Sequence, residues 1–195
     1  FKPDWKARGE QLKDLLTPQE LRRARGSTTD AHYTSQTVTQ ALWSAVERLG
    51  FRGGLALEMS AGTGNFLGLT PESVAGNTKF IAVELDSITA RIARSLYPRA
   101  GVIESGMHKV PLADNAFDLD IGNPPFGDTS LTWQFKPGLR GMSIHNQFFV
   151  AGLEALKPGG IQAKVVSRYL LDAMDETARR ALAKKGKLIG AIRLP

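Results

Sequence analysis

Residues 55–66 read Leu-Ala-Leu-Glu-Met-Ser-Ala-Gly-Thr-Gly-Asn-Phe and decide the fold, because they join a short buried strand to a glycine-rich turn. The apolar run that ends at Glu58 predicts the strand. Gly62 and Gly64 follow it, and glycine lets the backbone turn tightly and approach a ligand closely. Such a turn alone is a weak signal of function, but its position between a strand and a helix strengthens the signal. The stretch therefore predicts a ligand-binding turn at the carboxyl end of a first strand.

The next strand places a carboxylate near this turn. Residues 80–83 form an apolar second strand that ends in Glu84. A carboxylate at this position usually accepts the ribose hydroxyl groups in nucleotide-binding folds, and a solvated strand end is the alternative. Residues 101–104 predict a third strand, and a polar loop follows over residues 105–116.

The fourth strand leads into the most specific motif of the chain. Residues 117–122 form the strand, and Asn123, Pro124, Pro125 and Phe126 follow directly. Prolines cannot donate to a sheet ladder and push the preceding residue out of the helical region, so the strand must end in a rigid turn. The Asn123 side-chain oxygen and the Pro124 carbonyl can accept both hydrogens of an exocyclic amino group, and the Phe126 ring can stack on the base. An ordinary Asn-Pro turn with a buried phenylalanine is the alternative.

Helices and strands alternate along the rest of the chain. The predicted helices are 36–49, with Ser35 as N-cap, then 86–96, 143–156 and most of 170–185; the predicted later strands are 161–166 and 188–194, with a Lys-Pro-Gly-Gly turn at 157–160. This alternation predicts an α/β fold: a doubly wound, mainly parallel, Rossmann-like sheet with helices on both faces. The glycine turn, Glu84 and Asn123 then converge near one topological switch point, where ligands bind in open α/β sheets.

Composition limits the possible classes of function. The chain has 195 residues, of which 42% are hydrophobic, enough for one α/β domain with a full core. It contains no cysteine, which excludes disulfides and thiolate chemistry and agrees with a cytoplasmic location. No apolar run approaches a membrane span, and the three histidines show no metal-ligand spacing. The net charge of +6 permits a polyanionic partner without requiring one.

We expect residues 31–195 to form the domain and residues 1–30 to be a polar, helical extension. Thr17, Pro18 and Glu20 predict a capped helix start, and three arginines follow by residue 25. This basic helix is either solvated or in contact with a DNA backbone. The chain starts without methionine and stops just after an apolar segment, so we expect a fragment of a longer polypeptide.

Two further segments carry charge near the predicted site. Residues 128–141 predict a mobile loop over the site, whose aromatic and cationic side chains either contact nucleic acid or pack within the loop. Residues 179–195 contain six basic side chains and no acidic one. They either contact phosphates, with binding that weakens steeply as salt rises, or complement the dipole of their own helix.

On these motifs, the chain resembles the S-adenosylmethionine-dependent amino-methyltransferases, specifically the DNA adenine-N6 type with the Asn-Pro-Pro-Phe motif. The resemblance covers residues 32–195: residues 58–64 resemble the family's cofactor loop, Glu84 its ribose ligand, and residues 123–126 its catalytic motif. The layout is most similar to methylase domains fused to helicases in phage and plasmid proteins. The resemblance implies S-adenosylmethionine as cofactor, DNA as partner, further domains for target recognition and a helicase, and a role in restriction-modification or in phage and plasmid defence.

The resemblance also implies the site residues. Asn123, Pro124, Pro125 and Phe126 are the catalytic set, and residues 32–35 resemble the segment that holds the methionine part of the cofactor. One position departs from the family, because the acid that touches the cofactor adenine after the third strand is missing: Glu104 comes early, and His108 occupies the acid's place. The implied cofactor-binding residues are Tyr33, Thr34, Glu58, Ser60, Gly62, Gly64, Asn65, Phe66, Glu84, Leu85, His108 and Asn123.

The implied reaction is direct methyl transfer to the N6 amino group of an adenine flipped out of duplex DNA, with the protein contributing alignment and hydrogen bonds. The same tetrapeptide also serves methylation of a protein glutamine amide or of a guanine amino group in RNA. An inactive, methyltransferase-like module that binds DNA or a partner domain is the alternative of another class. In the family that the chain resembles, residues that follow the position of Pro195 complete the wall around the flipped base. We therefore expect inefficient DNA methylation by residues 1–195 alone.

Overall fold

Five parallel strands form the central sheet. The computed structural model describes residues 3–22 and 34–194. The strands are β1 (Gly54–Glu58), β2 (Thr78–Glu84), β3 (Gly101–Glu104), β4 (Phe117–Gly122) and β5 (Leu156–Lys164), in the spatial order β3-β2-β1-β4-β5. Each neighbouring pair is parallel. The strand order reverses between β1 and β4, the topological switch point of a doubly wound sheet, and this confirms the predicted fold class.

Helices alternate with the strands along the chain, and several of them start at capping signals in the sequence. They are α1 (Pro3–Leu15), α2 (Gln36–Arg48), α3 (Asn65–Gly68), α4 (Glu72–Ala75), α5 (Ser87–Leu96), α6 (Ile144–Ala155), α7 (Tyr169–Asp172) and α8 (Thr177–Lys185). The Ser35 hydroxyl caps α2 through a 3.3 Å hydrogen bond, as predicted, and the Asp86 carboxylate caps α5 at 2.8 Å. Residues 18–22 are also helical, and Thr17 and Glu20 form the predicted reciprocal capping box.

In the described part of the chain, the two largest apolar clusters form one core layer on each face of the sheet. In one layer the Trp43 ring of α2 meets the Phe80 ring of β2 edge on, with 6.2 Å between ring centroids, and the Trp43 indole donates to the Phe66 carbonyl at 3.0 Å. In the other layer Trp133 meets Phe148 of α6 edge on at 5.7 Å. Such aromatic pairs add about 0.5–1.5 kcal/mol beyond the burial of their surface. The two layers fix the sheet and therefore the carboxyl ends of its strands.

The predicted sixth strand is wrong. Residues 186–194 have no regular secondary structure, and Leu188, Ile189 and Ile192 are exposed. A strand persists only where a neighbour pairs with its backbone groups, and within the described residues this segment does not pair with β5. The apolar pattern alone therefore does not make a strand here.

Two other predicted boundaries near this end also differ. Residues 157–160 are not a separate turn, because β5 runs through them with a shift in its register against β4, and the strand ends at Lys164 rather than at residue 166. Most of residues 170–185 is helical, as predicted, and residues 173–176 separate α7 from α8. In the described part of the chain, no helix has the length and apolar character needed to cross a membrane.

Candidate active site

The turn after β1 has a backbone conformation that favours glycine. Gly62 and Gly64 have φ angles of 57° and 89°, in the left-handed region that other residues rarely adopt. Gly64 is also the N-cap of α3, and a Cβ added there would lie 2.4 Å from the Tyr97 ring. Glycine at this position therefore lets the turn pack directly on Tyr97 while α3 begins behind it.

The Glu84 carboxylate connects the end of β2 to the glycine turn. Its Oε2 accepts a hydrogen bond from the Gly62 N–H at 2.7 Å, and its Oε1 accepts one from the Asp86 N–H at 2.8 Å. Each carboxylate oxygen can accept a further hydrogen bond, so Glu84 keeps capacity for hydroxyl groups of a ligand. The next side chain, Leu85, is 72% exposed and adds apolar surface at the same strand end.

A hydrogen bond connects the glycine turn to the Asn-Pro-Pro-Phe turn. The Ser60 hydroxyl donates to the backbone carbonyl of Asn123 at 2.8 Å. Pro124 is buried, whereas Phe126 is 40% exposed, so the phenylalanine is not buried as the alternative interpretation of this turn expects. The structure thus brings the turns that follow β1 and β4 together, while Glu84 of β2 contacts the first of them.

The carboxyl group of Glu58 is buried at the end of β1, with the residue 2% exposed. Burial raises its pKa well above 4.5; the Lys164 charge opposes this shift, and the charges of Glu84 and Asp120 add to it. Its Oε2 has no hydrogen-bond partner among the described residues. Since a buried polar atom without a partner is costly, a ligand that donates a hydrogen bond to this oxygen would stabilise the site.

Solved structures show which known proteins share this fold. A protein from Listeria monocytogenes assigned to the class I S-adenosylmethionine-dependent methyltransferases has a TM-score of 0.61 at 17% identity, over 80% of this chain and 54% of its own. The methyltransferase subunit of a type I restriction-modification system from Streptococcus thermophilus has a TM-score of 0.64 at 16% identity, over 80% of this chain and 39% of its own. The modification subunit of a protein from Vibrio vulnificus that is assigned to the type I restriction enzymes has a TM-score of 0.62 at 19% identity, over 89% of this chain and 41% of its own.

This chain has the fold of the S-adenosylmethionine-dependent methyltransferases. At identities of 16–19% the likeness describes the fold alone. The chain corresponds to 39–54% of the length of these three structures. Its sequence matches no protein-family model and no curated protein.

Within the methyltransferase fold, the segment before α2 reaches the glycine turn. The Asn65 side-chain amide donates to the Thr34 carbonyl at 3.2 Å, so these two predicted cofactor residues are in contact. Tyr33 lies outside the described residues. Phe66 is 2% exposed and belongs to the apolar core, so its ring is not part of an open cofactor surface.

Glu104 at the end of β3 and His108 after it are the two candidates for the adenine contact, and their surroundings differ. Glu104 is in register with Glu84, but its carboxylate lies 3.2 Å from the Arg94 guanidinium, to which it is ion-paired. His108 lies in a short 3₁₀ helix, is half-buried, and has a pKa lowered by burial and then by the Lys109 charge. A neutral imidazole at this position offers one donor and one acceptor, whereas the family's acid offers only acceptors.

The loop of residues 128–141 is folded against α6. The fully buried Gln147 accepts the Leu131 N–H at 2.9 Å and donates to the carbonyls of Leu131 and Leu139 at 2.8 and 3.0 Å. Lys136 is buried as well, with ion pairs to Asp114 at 2.6 Å and Glu154 at 2.9 Å.

The sequence left two interpretations of this loop: its side chains either contact nucleic acid or pack within the loop. The contacts above decide between them for some of the side chains. Trp133 and Lys136 pack inward, as in the second interpretation, and cannot contact nucleic acid from there. Phe135 and Arg140 remain exposed. Sequence reasoning missed Gln147, because a buried glutamine on a helix gives no local signal of the backbone groups that it binds.

Proposed function

We propose that the protein transfers a methyl group from S-adenosylmethionine to the N6 amino group of an adenine flipped out of DNA. The observation that carries this proposal is the 2.8 Å hydrogen bond from Ser60 to the Asn123 carbonyl. It holds the turn that can accept an amino group against the turn that can hold a cofactor. Proximity of this kind is the main contribution that a protein can make to a direct transfer.

The residues around the glycine turn fit S-adenosylmethionine. Glu84 retains acceptor capacity for the ribose hydroxyl groups, exposed Leu85 offers an apolar contact for the adenine ring, and the buried Oε2 of Glu58 needs a donor. When bound, this cofactor supplies a methyl group that its sulfonium makes electrophilic. The proposed binding residues are Tyr33, Thr34, Glu58, Ser60, Gly62, Gly64, Asn65, the backbone at Phe66, Glu84, Leu85, His108 and Asn123.

The Asn123 turn supplies the chemistry on the substrate side. The Asn123 side-chain oxygen and the Pro124 carbonyl accept the two amino hydrogens, which draws the nitrogen toward a pyramidal form with an available lone pair. These hydrogen bonds strengthen as positive charge develops on the nitrogen, so they stabilise the transition state more than the ground state. The partly exposed Phe126 ring stacks on the base. The methylated nitrogen then releases a proton to water, so a strong general base is not required.

Two observations favour DNA as the substrate. The net charge is +6, which suits a polyanion, and two of the similar structures are subunits of type I restriction enzymes or restriction-modification systems. Arg180, Lys184, Lys185 and Lys187 are exposed on and after α8, although Arg180 also pairs with Glu176 at 2.6 Å. We place the protein in the cytoplasm, in restriction-modification or phage and plasmid defence, as part of a polypeptide with target-recognition and helicase domains.

Tritium transfer from labelled S-adenosylmethionine tests the proposal directly. The substrates are unmethylated duplex DNA, RNA and a glutamine-containing protein, and the labelled product is identified after digestion. N6-methyladenine from DNA would support the proposal, whereas label in guanine of RNA or in a glutamine amide would redirect it. Because residues 1–195 alone are expected to methylate DNA inefficiently, the assay uses the longer polypeptide that contains them. Cofactor binding by that polypeptide without transfer to any substrate would favour the non-catalytic module.

A further inference from the structure

A buried ion pair lies in the two strands that lead to the Asn123 turn. The Lys164 Nζ atom is 2.7 Å from Asp120 Oδ1, and the two side chains are 1% and 0% exposed. Asp120 belongs to β4, which runs directly into Asn123, and Lys164 is the last residue of β5. The pair therefore links the two strands just before the proposed catalytic turn.

The surroundings of Asp120 leave it little freedom. The Gln162 side-chain amide donates to Asp120 Oδ2 and to the Phe149 carbonyl, both at 2.9 Å. On α6, a Cβ added to Gly152 would lie 1.9 Å from Asp120 Oδ2. Only glycine at this position of α6 accommodates the carboxylate, so the helix, β5 and the ion pair together determine where Asp120 lies.

Stability alone does not account for this pair. Removing two charges from water costs free energy that their attraction roughly offsets, and apolar side chains of similar volume are often as good or better. An ion pair instead makes the relative position of the two strands specific, because the two charges attract strongly only when the strands hold them close together. Lys164 is opposite Gly122 in the β4–β5 register, and the Val165 N–H donates to the Gly122 carbonyl at 3.0 Å. The acceptor residue of this hydrogen bond, Gly122, directly precedes Asn123 in the chain.

We propose that Asp120 and Lys164 are positioning residues for methyl transfer, whose ion pair holds the end of β4 against β5 and so sets where the Asn123 turn lies. This inference rests on the proposed function of that turn. The pair touches neither the cofactor nor the base in this account; it acts through Gly122 and the backbone that follows. It also places the positive charge of Lys164 where it favours the ionised form of Glu58.

The double variant Asp120→Asn/Lys164→Met tests the proposal, because it removes both charges, leaves an acceptor for Gln162 and changes side-chain volume little. We expect a folded protein whose dissociation constant for S-adenosylmethionine changes by less than about threefold, since the cofactor contacts remain and the two removed charges shift the pKa of Glu58 in opposite directions. We expect kcat to fall about 10- to 100-fold, the cost of a small misplacement of reacting groups. The Val165 amide should exchange with solvent faster than in the wild-type protein.

A second Asp–Lys pair provides a matched control on the same strands. Lys157 Nζ lies 2.9 Å from both carboxylate oxygens of Asp118, at the opposite end of the sheet, and the side chains are 45% and 32% exposed. Asp118→Asn/Lys157→Met should leave both kcat and the Val165 exchange rate close to those of the wild-type protein.

The two readouts separate this proposal from the proposed function. If the longer polypeptide that contains residues 1–195 transfers no methyl group in its wild-type form, the proposed function fails, and the Val165 exchange rate alone decides whether the pair positions β4. An unchanged exchange rate would overturn the positioning role, and so would an unchanged kcat in an active enzyme. Loss of the fold in the Asp120/Lys164 double variant, or an equal effect of the control, would make the pair an ordinary stabilising contact and would overturn it as well.

Discussion

Glu84→Ala should weaken the binding of S-adenosylmethionine, because this carboxylate supports the glycine turn and, in our account, the ribose. It accepts the Gly62 N–H at 2.7 Å and the Asp86 N–H at 2.8 Å. Alanine removes these hydrogen bonds and the acceptors for the ribose hydroxyl groups. A hydrogen bond to a charged group contributes about 1.5–3 kcal/mol. At ~1.4 kcal/mol per factor of ten, the dissociation constant should rise about 12- to 140-fold.

Isothermal titration calorimetry with the wild-type protein and matched variants measures this change. Glu84→Gln keeps one acceptor oxygen without the charge and should lie between the wild-type protein and Glu84→Ala. Glu104→Ala is the control, because Glu104 is the residue opposite Glu84 in the β2–β3 register but pairs with Arg94. Wild-type affinity in Glu84→Ala, or equal weakening by Glu104→Ala, would refute the assignment of the ribose site.

Three other predictions concern the turn and its neighbours. Ser60→Ala leaves the Asn123 carbonyl without its 2.8 Å donor and should lower the single-turnover transfer rate about 5- to 140-fold, from the ~1–3 kcal/mol cost of an unsatisfied acceptor; an unchanged rate would contradict the coupling of the two turns. Gly64→Ala puts a Cβ 2.4 Å from Tyr97 and should lower the free energy of unfolding in urea by about 1–3 kcal/mol, whereas Gly76→Ala, whose Cβ meets nothing within 4 Å, should not. Because burial raises the pKa of Glu58 above 4.5 and a cation binds the ionised form better, calorimetry should show affinity for the cationic cofactor increasing as pH rises through that raised pKa; a pH dependence that persists in Glu58→Gln would assign it to another group.

Local patterns in the sequence were sufficient for most of the sheet and for the edge that holds the site. The β3 strand, the end of β2 at Glu84, the N-cap at Ser35 and the start of α5 near Asp86 follow from a few adjacent residues each. Parallel strands then bring their carboxyl ends to one edge without further information. The contact between Ser60 and Asn123 is a consequence of that topology.

Contacts between residues far apart in sequence were beyond such patterns. Residues 188–194 have the composition of a strand, but a strand also needs a paired neighbour. The Asp120–Lys164 pair depends on the register of β4 against β5, which shifts at residues 157–160. The inward packing of Trp133 depends in the same way on α6, a helix that begins only after the loop ends.

Methyl transfer by Asn123→Ala, compared with its cofactor binding, tests the central claim most directly. The Asn123 side-chain oxygen acts on the amino group mainly in the transition state, so the variant should bind S-adenosylmethionine nearly as well as the wild-type protein. Tritium transfer to adenine in unmethylated DNA should be abolished. This transfer is measured with the longer polypeptide that contains residues 1–195, in its wild-type and Asn123→Ala forms. Transfer at the wild-type rate by Asn123→Ala would contradict the account, because the reaction would then not use this turn.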